Sequence, residues 1–223
     1  DYDVPTVVNC DYDAYFKEME EMKEKYKGQI TLKTGIEFGI QVHTTKAYEE
    51  TFGQYPFDFV IFSCHQVENK EYWRQEPQKG KTQLEYNRRY YQEILDVVKA
   101  YKDYSILGHL DVIKRYDLNG EIKLEKIKDL IEQIFEVVIA DGKGIELNTS
   151  SRAYHLKSLM PSRKILELYH DMGGKIITIG SDAHNADRVG DRVMESQKIL
   201  KEIGFNGIYT FDQMKPKFHE FKF

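Results

Sequence analysis

The chain has 223 residues, of which 41% are hydrophobic, and a formal net charge of -5. This length suits one domain with a sizeable core, and the acidic balance argues against a nucleic-acid-binding surface. No run reaches the ~20 apolar residues that a membrane span needs, and two cysteines, Cys10 and Cys64, are too few for a disulfide framework. We therefore expect one cytoplasmic domain over residues 1–223, with neither nucleic acid nor membrane as a partner and no indication of its oligomeric state.

Helices and short apolar runs alternate along the whole chain. Helical spacing of apolar residues predicts helices at 12–27, 44–52, 84–101, 124–140, 162–172 and 193–203. Apolar runs predict strands at 30–40, 57–65, 104–111, 144–148 and 176–179, with a final one at 207–210. Because no linker interrupts this alternation, the sequence predicts an α/β domain with parallel strands.

Residues 66–81 form the longest polar and irregular segment between predicted elements, and they include Trp73. Long loops of this kind often serve as lids or specificity elements over a site. A surface insertion with one buried tryptophan fits the sequence equally well.

Asp182 and His184 follow the predicted strand at 176–179. Residues at i and i+2 of an extended segment project to the same side, and a carboxylate with an imidazole suits Zn, Fe or Mn. The alternative is an Asp that caps the following helix, with the His on its first turn.

Three other predicted strands carry ligand-type residues at their carboxyl ends: Glu37, His65 and His109. Glu37 alone would more often be a rim residue facing water. Several such residues in register are hard to explain as packing, and they favour a (β/α) barrel over an open sheet, because barrel enzymes place their sites at this face. The set predicts a site for more than one divalent ion, with Glu37 as a bridging ligand and metal-assisted hydrolysis as the chemistry.

Arginines also follow predicted strand ends, at Arg115, Arg152 and Arg188. Each alone would more often belong to a surface ion pair. Together, in an acidic chain, they supply the local positive charge that holds a phosphate. With the metal ligands they point to hydrolysis of a phosphate ester.

The ordered motifs resemble those of the polymerase-and-histidinol-phosphatase (PHP) superfamily, and its histidinol-phosphate phosphatase branch most closely. They are Gly35-Ile36-Glu37, Ser63-Cys64-His65-Gln66, Gly108-His109-Leu110-Asp111, Glu146-Leu147-Asn148-Thr149 and Gly180-Ser181-Asp182-Ala183-His184. The resemblance implies a distorted seven-stranded (β/α) barrel that holds up to three Zn, Fe or Mn ions. It also implies removal of phosphate from L-histidinol phosphate in histidine biosynthesis.

The resemblance assigns roles to individual residues. Glu37 would bridge two metals, His65 and His109 would be imidazole ligands, and Asp182 with His184 would complete the ligand set. Asp182 is also a candidate acid for the leaving group, and His109 a residue on which turnover depends. Arg115 and Arg152 would hold the substrate phosphate, with Arg188 as a weaker candidate, whereas Asp111 and His43 receive no metal.

The sequence departs from the family pattern at its front. The family opens with a strand that bears a His-x-His pair, whereas the first histidine here is His43. We therefore expect that the first strand-helix unit, with its metal ligands, is absent from this chain by truncation; a naturally depleted site is the alternative. Two other functions stay open: hydrolysis of a nucleotide or sugar phosphate, and a metal-poor binding module without catalysis.

Overall fold

The computed structural model describes Asp1 and residues 10–223. Its strands are β1 (Gly35–Gly39), β2 (Phe59–Ser63), β3 (Gln66–Val67), β4 (Lys70–Glu71), β5 (Ile106–Leu107), β6 (Gly144–Asn148), β7 (Ile177–Gly180), β8 (Gly207–Asp212) and β9 (Lys215–Glu220). Its α-helices are α1 (Tyr12–Lys25), α2 (Thr45–Gln54), α3 (Gln83–Ala100), α4 (Lys128–Ala140), α5 (Arg163–Asp171) and α6 (Val193–Ile203). The predicted helices are thus confirmed, with ends that differ by a few residues.

Five parallel strands form the main sheet, in the order β1-β2-β5-β6-β7. All five strands therefore present their carboxyl ends at one edge, where parallel α/β folds place their sites. The predicted α/β class is confirmed. Within the described residues β1 and β7 end the order of strands, so closure into a seven-stranded barrel stays a prediction.

Helix α3 shows how the sequence builds this core. Thr82 caps its N-terminus by accepting from the backbone N–H of Glu85, whose carboxylate accepts in return from the N–H of Thr82. One face of the helix is buried, including Tyr90 and Ile94, and a buried side chain of this size contributes about 1.5–3 kcal/mol. The Tyr90 hydroxyl donates to the carbonyl of Leu110 at 3.1 Å, so α3 also holds the segment that follows β5.

The C-terminal strands β8 and β9 form a two-stranded antiparallel sheet of their own. The strand predicted at 207–210 is therefore present, but it pairs with the chain's tail. The connection turns at Gln213 and Met214, both with positive φ, as a tight hairpin requires. The hairpin joins the body through the backbone N–H of Met214, which donates to the carbonyl of Asp58 at 2.9 Å.

Among the described helices, none combines the length and the apolar character needed to cross a bilayer.

Candidate metal centre and substrate cavity

Three of the predicted ligands meet at the carboxyl edge of the sheet. Glu37 lies within β1, and His65 and His109 each follow the end of a strand by two residues. Oε1 of Glu37 lies 3.1 Å from Nε2 of His65 and 3.1 Å from Nε2 of His109. One ligand atom from each residue lies within 4.8 Å of the others. A carboxylate oxygen and two imidazole nitrogens converging on one point are a donor set that Zn and related ions accept.

The charge state of Glu37 also suits a ligand. Burial by itself would raise the pKa of this carboxyl, but hydrogen bonds from His109 and then His65 outweigh it and hold the pKa well below its usual range. Glu37 is therefore a carboxylate at neutral pH, the form that coordinates a cation.

Asp1 is a site residue that sequence reasoning missed. Its Oδ1 and Oδ2 lie 3.0 and 3.2 Å from Nδ1 of His65, so it holds the ring nitrogen opposite the one that faces Glu37. Carboxylates in this position fix the tautomer of metal-ligating histidines. Gly39 makes room for the contact, because a Cβ there would lie 1.4 Å from Oδ1 of Asp1. No spacing in the sequence links these residues, which come together only through the sheet.

The ring of His109 is almost fully buried, with 6% of the residue exposed. Its backbone N–H donates to Oε2 of Glu146 at 3.0 Å. Gly108 permits the close approach of β2 and β5 here, since a Cβ would lie 2.6 Å from Ile61 and 2.8 Å from the hydroxyl of Ser63. The sheet itself therefore sets the position of His109.

Asp182 and His184 line the same cavity as the three-residue cluster. Nε2 of His184 lies 3.2 Å from Oδ1 of Asp182, and the His184 side chain is 77% exposed. Asp182 has a φ of 48°, a left-handed conformation that Asp adopts more readily than most residues. The prediction that Asp182 and His184 belong to an extended segment is therefore wrong, because β7 ends at Gly180. In the described part of the chain, their ligand atoms do not join the convergence of Glu37, His65 and His109. Their assignment as metal ligands stays a prediction.

The three predicted arginines lie in different surroundings. Arg115 lines the cavity, donates to the hydroxyl of Ser150 at 3.0 Å and lies 3.7 Å from Oδ2 of Asp182. Arg188 donates at 3.4 Å to the carbonyl of Ser181, the residue before Asp182. Arg152 is exposed at the end of the 3-10 turn that follows β6 and is not among the residues that line the cavity. Their phosphate-binding roles stay predictions.

The cavity has a volume of about 210 Å³ and an aromatic wall formed by Tyr72, Trp73 and Tyr116. Segment 66–81 thus contributes to the cavity, and its interpretation as a surface insertion with one buried tryptophan is wrong. Trp73 is 43% exposed, whereas its neighbour Tyr72 is 2% exposed. Tyr72 takes the interior position because its ring packs edge-on against Tyr90, with centroids 5.4 Å apart.

Asp111 is buried and lies outside the cluster. Its Oδ2 accepts from Nζ of Lys114 at 2.8 Å and from the backbone N–H of Ser162 at 2.9 Å. Asp111 is therefore an interior residue, and its ion pair with Lys114 fixes the turn that carries Arg115.

Comparison with known families gives this geometry a context. The sequence pattern of the PHP domain matches residues 4–150, which include Glu37, His65 and His109. The chain belongs to the PHP domain family. A histidinol-phosphatase of Lactococcus lactis subsp. lactis is 30% identical over an alignment of 211 residues, and the alignment covers 90% of this chain and 76% of that protein. A probable histidinol-phosphatase of Clostridium acetobutylicum is 26% identical over 203 residues, covering 89% of this chain and 76% of its own length.

Two solved structures share the fold of this PHP chain. The histidinol phosphate phosphatase (HISK) of Lactococcus lactis, solved in complex with Zn, L-histidinol and phosphate, superposes with a TM-score of 0.86. It is 28% identical in sequence, and the match covers 97% of this chain and 83% of that one. The putative histidinol phosphatase hisK of Listeria monocytogenes gives a TM-score of 0.61 at 18% identity, over 83% and 75% of the two chains. The second likeness concerns the fold alone.

Proposed function

We propose that this protein is a metal-dependent phosphomonoesterase that hydrolyses L-histidinol phosphate to L-histidinol and phosphate, a step of histidine biosynthesis. The observation that carries the proposal is the convergence of Glu37, His65 and His109 in a cavity that Arg115 also lines. The chain's similarity to a phosphatase solved with zinc, histidinol and phosphate supports the same reaction.

The residues present fit a divalent metal. Glu37, His65 and His109 offer a hard oxygen and two borderline nitrogens. Nδ1 of His65, the ring nitrogen that does not face Glu37, contacts the carboxylate of Asp1. A bound divalent ion supplies Lewis acidity and lowers the pKa of water to the neutral range. Zn, Fe and Mn all accept such a donor set. We propose up to three ions: Glu37 would bridge two of them, and Asp182 and His184 would be further ligands.

The protein's cationic groups bind and orient the substrate's phosphate. Arg115 is held by Ser150, and its guanidinium carbon lies 3.5 Å from the ring centroid of Tyr154. These contacts fix the planar guanidinium group of Arg115 before the substrate binds, so the side chain loses little conformational entropy on binding. We propose Arg152, on the turn after β6, as a second phosphate-binding group. Arg188, whose side chain donates to the carbonyl of Ser181, is a weaker candidate for the same role.

We propose Asp182 as the group that supplies the leaving group's proton. Its carboxylate lies between Arg115 and His184, at 3.7 and 3.2 Å respectively. The alkoxide that leaves a phosphate monoester needs a proton, and the attacking water releases one, so the Asp182 carboxylate would take up the proton from water and pass it to the leaving oxygen. The aromatic wall of Tyr72, Trp73 and Tyr116 excludes water from the organic part of the substrate.

We place this reaction in the cytoplasm, in keeping with two cysteines that are both free thiols.

The test is phosphate release by the full natural protein from L-histidinol phosphate, beside a nucleotide and a sugar phosphate. We expect kcat/KM to be at least about tenfold higher for histidinol phosphate, since a dedicated pocket discriminates by ~1–3 kcal/mol per favourable contact. Chelation should abolish the activity, and Zn, Fe or Mn should restore it. Equal rates on all three esters would contradict the substrate, and activity in excess chelator would contradict metal dependence.

A further inference from the structure

We propose that Glu146 is a positioning residue that sets the place of the metal-binding imidazole of His109 and couples it to Arg115. The proposal rests on the proposed function, because it takes His109 as a metal ligand. It goes beyond that function, since Glu146 itself does not line the cavity.

The contacts of Glu146 identify the role. Glu146 lies in β6, is 4% exposed, and accepts the backbone N–H of His109 at its Oε2, at 3.0 Å. The same oxygen accepts from Nδ2 of Asn148 at 3.1 Å. Because a side chain of the neighbouring strand accepts this backbone N–H, the Cα of His109 is held in place. The point from which the imidazole side chain extends is therefore fixed as well.

A second arm of the same network reaches the cavity's arginine. Oδ1 of Asn148 accepts the backbone N–H of Ser150 at 2.9 Å, and the hydroxyl of Ser150 accepts from Nη2 of Arg115 at 3.0 Å. Glu146, Asn148 and Ser150 are each less than 5% exposed. The chain of contacts therefore runs through the interior from the metal ligand to the phosphate-binding group.

Gly180 provides the space that Glu146 occupies. A Cβ at Gly180 would lie 1.9 Å from Oε1 of Glu146, so the last residue of β7 must be a glycine for the carboxylate to stay in place. Asp182 follows two residues later. Glu146 thus touches the strand end that carries His109 and the one that leads to Asp182.

The cost of burying this group argues that it has a function. A buried carboxylate is expensive unless it is paired, and within the described ranges no Lys or Arg forms an ion pair with Glu146. Its Oε2 instead accepts from the backbone N–H of His109 and from Nδ2 of Asn148, and an apolar side chain in its place would leave both buried donors without an acceptor. Groups that orient metal ligands typically change metal affinity by about 10- to 100-fold when they are removed.

The experiment compares Glu146→Met and Glu146→Gln in the full natural protein. Methionine keeps the volume and removes the acceptor, whereas glutamine keeps one acceptor oxygen for His109. Zn affinity is measured by competition with a chromophoric chelator, with no substrate present. We expect Glu146→Met to weaken Zn binding by about 10- to 100-fold and Glu146→Gln to stay within about threefold of the wild type.

Glu93 is the matched control. It too is a buried glutamate that accepts a backbone N–H, from Val42 at 3.0 Å, and it forms an ion pair with Arg89 away from the cavity. Glu93→Met should lower the melting temperature without changing Zn affinity. Gly180→Ala leaves Glu146 in the sequence but displaces its carboxylate, so it should weaken Zn binding as Glu146→Met does, even if the latter fails to fold.

Two results would overturn the proposal. One is a Zn affinity of Glu146→Met and Gly180→Ala equal to that of the wild type. The other is a loss in Glu146→Gln as large as in Glu146→Met, which would assign the effect to charge. If Zn affinity falls as expected while the wild type releases no phosphate from histidinol phosphate, the proposed function fails and the positioning role stands.

Discussion

Two sets of strand ends contribute to the cavity, and the structure places them differently. Glu37, His65 and His109 come from β1 and the residues just after β2 and β5, and their ligand atoms converge. Asp182 and His184 come from the irregular segment after β7, where Asp182 has a positive φ and His184 is largely exposed. The sheet positions the first set before any ligand binds, whereas the second set is positioned by a loop. Preorganisation therefore belongs mainly to the β1-β2-β5 side.

The largest expected effect comes from removing a preorganised ligand. His109→Ala should lower kcat/KM for histidinol phosphate by about 10²- to 10⁴-fold, because several kcal/mol of metal-borne charge stabilisation are lost. The variant should still fold, but with a lower melting temperature, because the ring that is removed is almost fully buried. His219→Ala is the control, since His219 is exposed on β9 and contacts Thr210. Unchanged kinetics in His109→Ala would remove the basis of the proposed site.

Arg115 tests the phosphate-binding part of the cavity. Arg115→Lys keeps the charge but loses the planar fork, so kcat/KM should fall by about 10- to 100-fold, the cost of one or two charge-assisted hydrogen bonds. Arg88→Lys is matched to it, because Arg88 makes an equally forked contact, with Asp129 on the surface. The measurement is kcat/KM of both variants from steady-state kinetics. An equal decrease in kcat/KM in the two variants would refute a specific role for Arg115.

The loop after β7 can be tested without mutation. If Asp182 and His184 bind metal, Zn should draw His184 into the cavity and slow its modification by diethyl pyrocarbonate several-fold, since the side chain is now 77% exposed. Mass spectrometry of the modified peptides gives the rate at each histidine. The rate at His219 should not change. Equal rates at His184 with and without Zn would show that this segment does not supply a ligand.

The smallest effect concerns the thiol beside His65. Cys64 is 2% exposed, and burial raises the pKa of its thiol far above the usual range. Cys10 is exposed. Iodoacetamide should therefore label Cys10 in the native protein and Cys64 only after denaturation. Rapid native labelling of Cys64 would show that the end of β2 is not rigid.

The convergence on the β1-β2-β5 side was the part of the candidate site that the sequence could predict. Glu37, His65 and His109 were found because parallel strands bring their carboxyl ends to one edge, so apolar periodicity is enough to place the side chains at those ends. Asp1 gave no such signal, and Glu146 appeared only within the motif Glu146-Leu147-Asn148-Thr149, with no role assigned to it. Asp1 and His65 are 64 positions apart in the sequence. Glu146 lies in a strand that is buried along its whole length, and the sequence of this strand predicts a core position. Pairing of this kind depends on register and side-chain direction, which a single sequence does not specify.

Segment 66–81 shows a second limit. Its polar composition predicted an irregular excursion but not which aromatic side chain would turn inward. Tyr72 packs in the interior and Trp73 is the more exposed residue at the cavity. This arrangement depends on the β3-β4 hairpin, which directly precedes Tyr72, and on the packing of Tyr72 against Tyr90. The sequence likewise predicted a final strand at 207–210, but its pairing with β9 depends on a turn at Gln213 and Met214 that lacks glycine.

The central claim is that Glu37, His65 and His109 form a metal site. Anomalous diffraction from crystals of the full natural protein grown with Zn tests it most directly. We predict an anomalous peak bonded to Oε1 of Glu37 and to Nε2 of one or both histidines, at about 2.0–2.2 Å. Zn-loaded crystals with no peak among these three residues, or with the metal held only elsewhere, would contradict it.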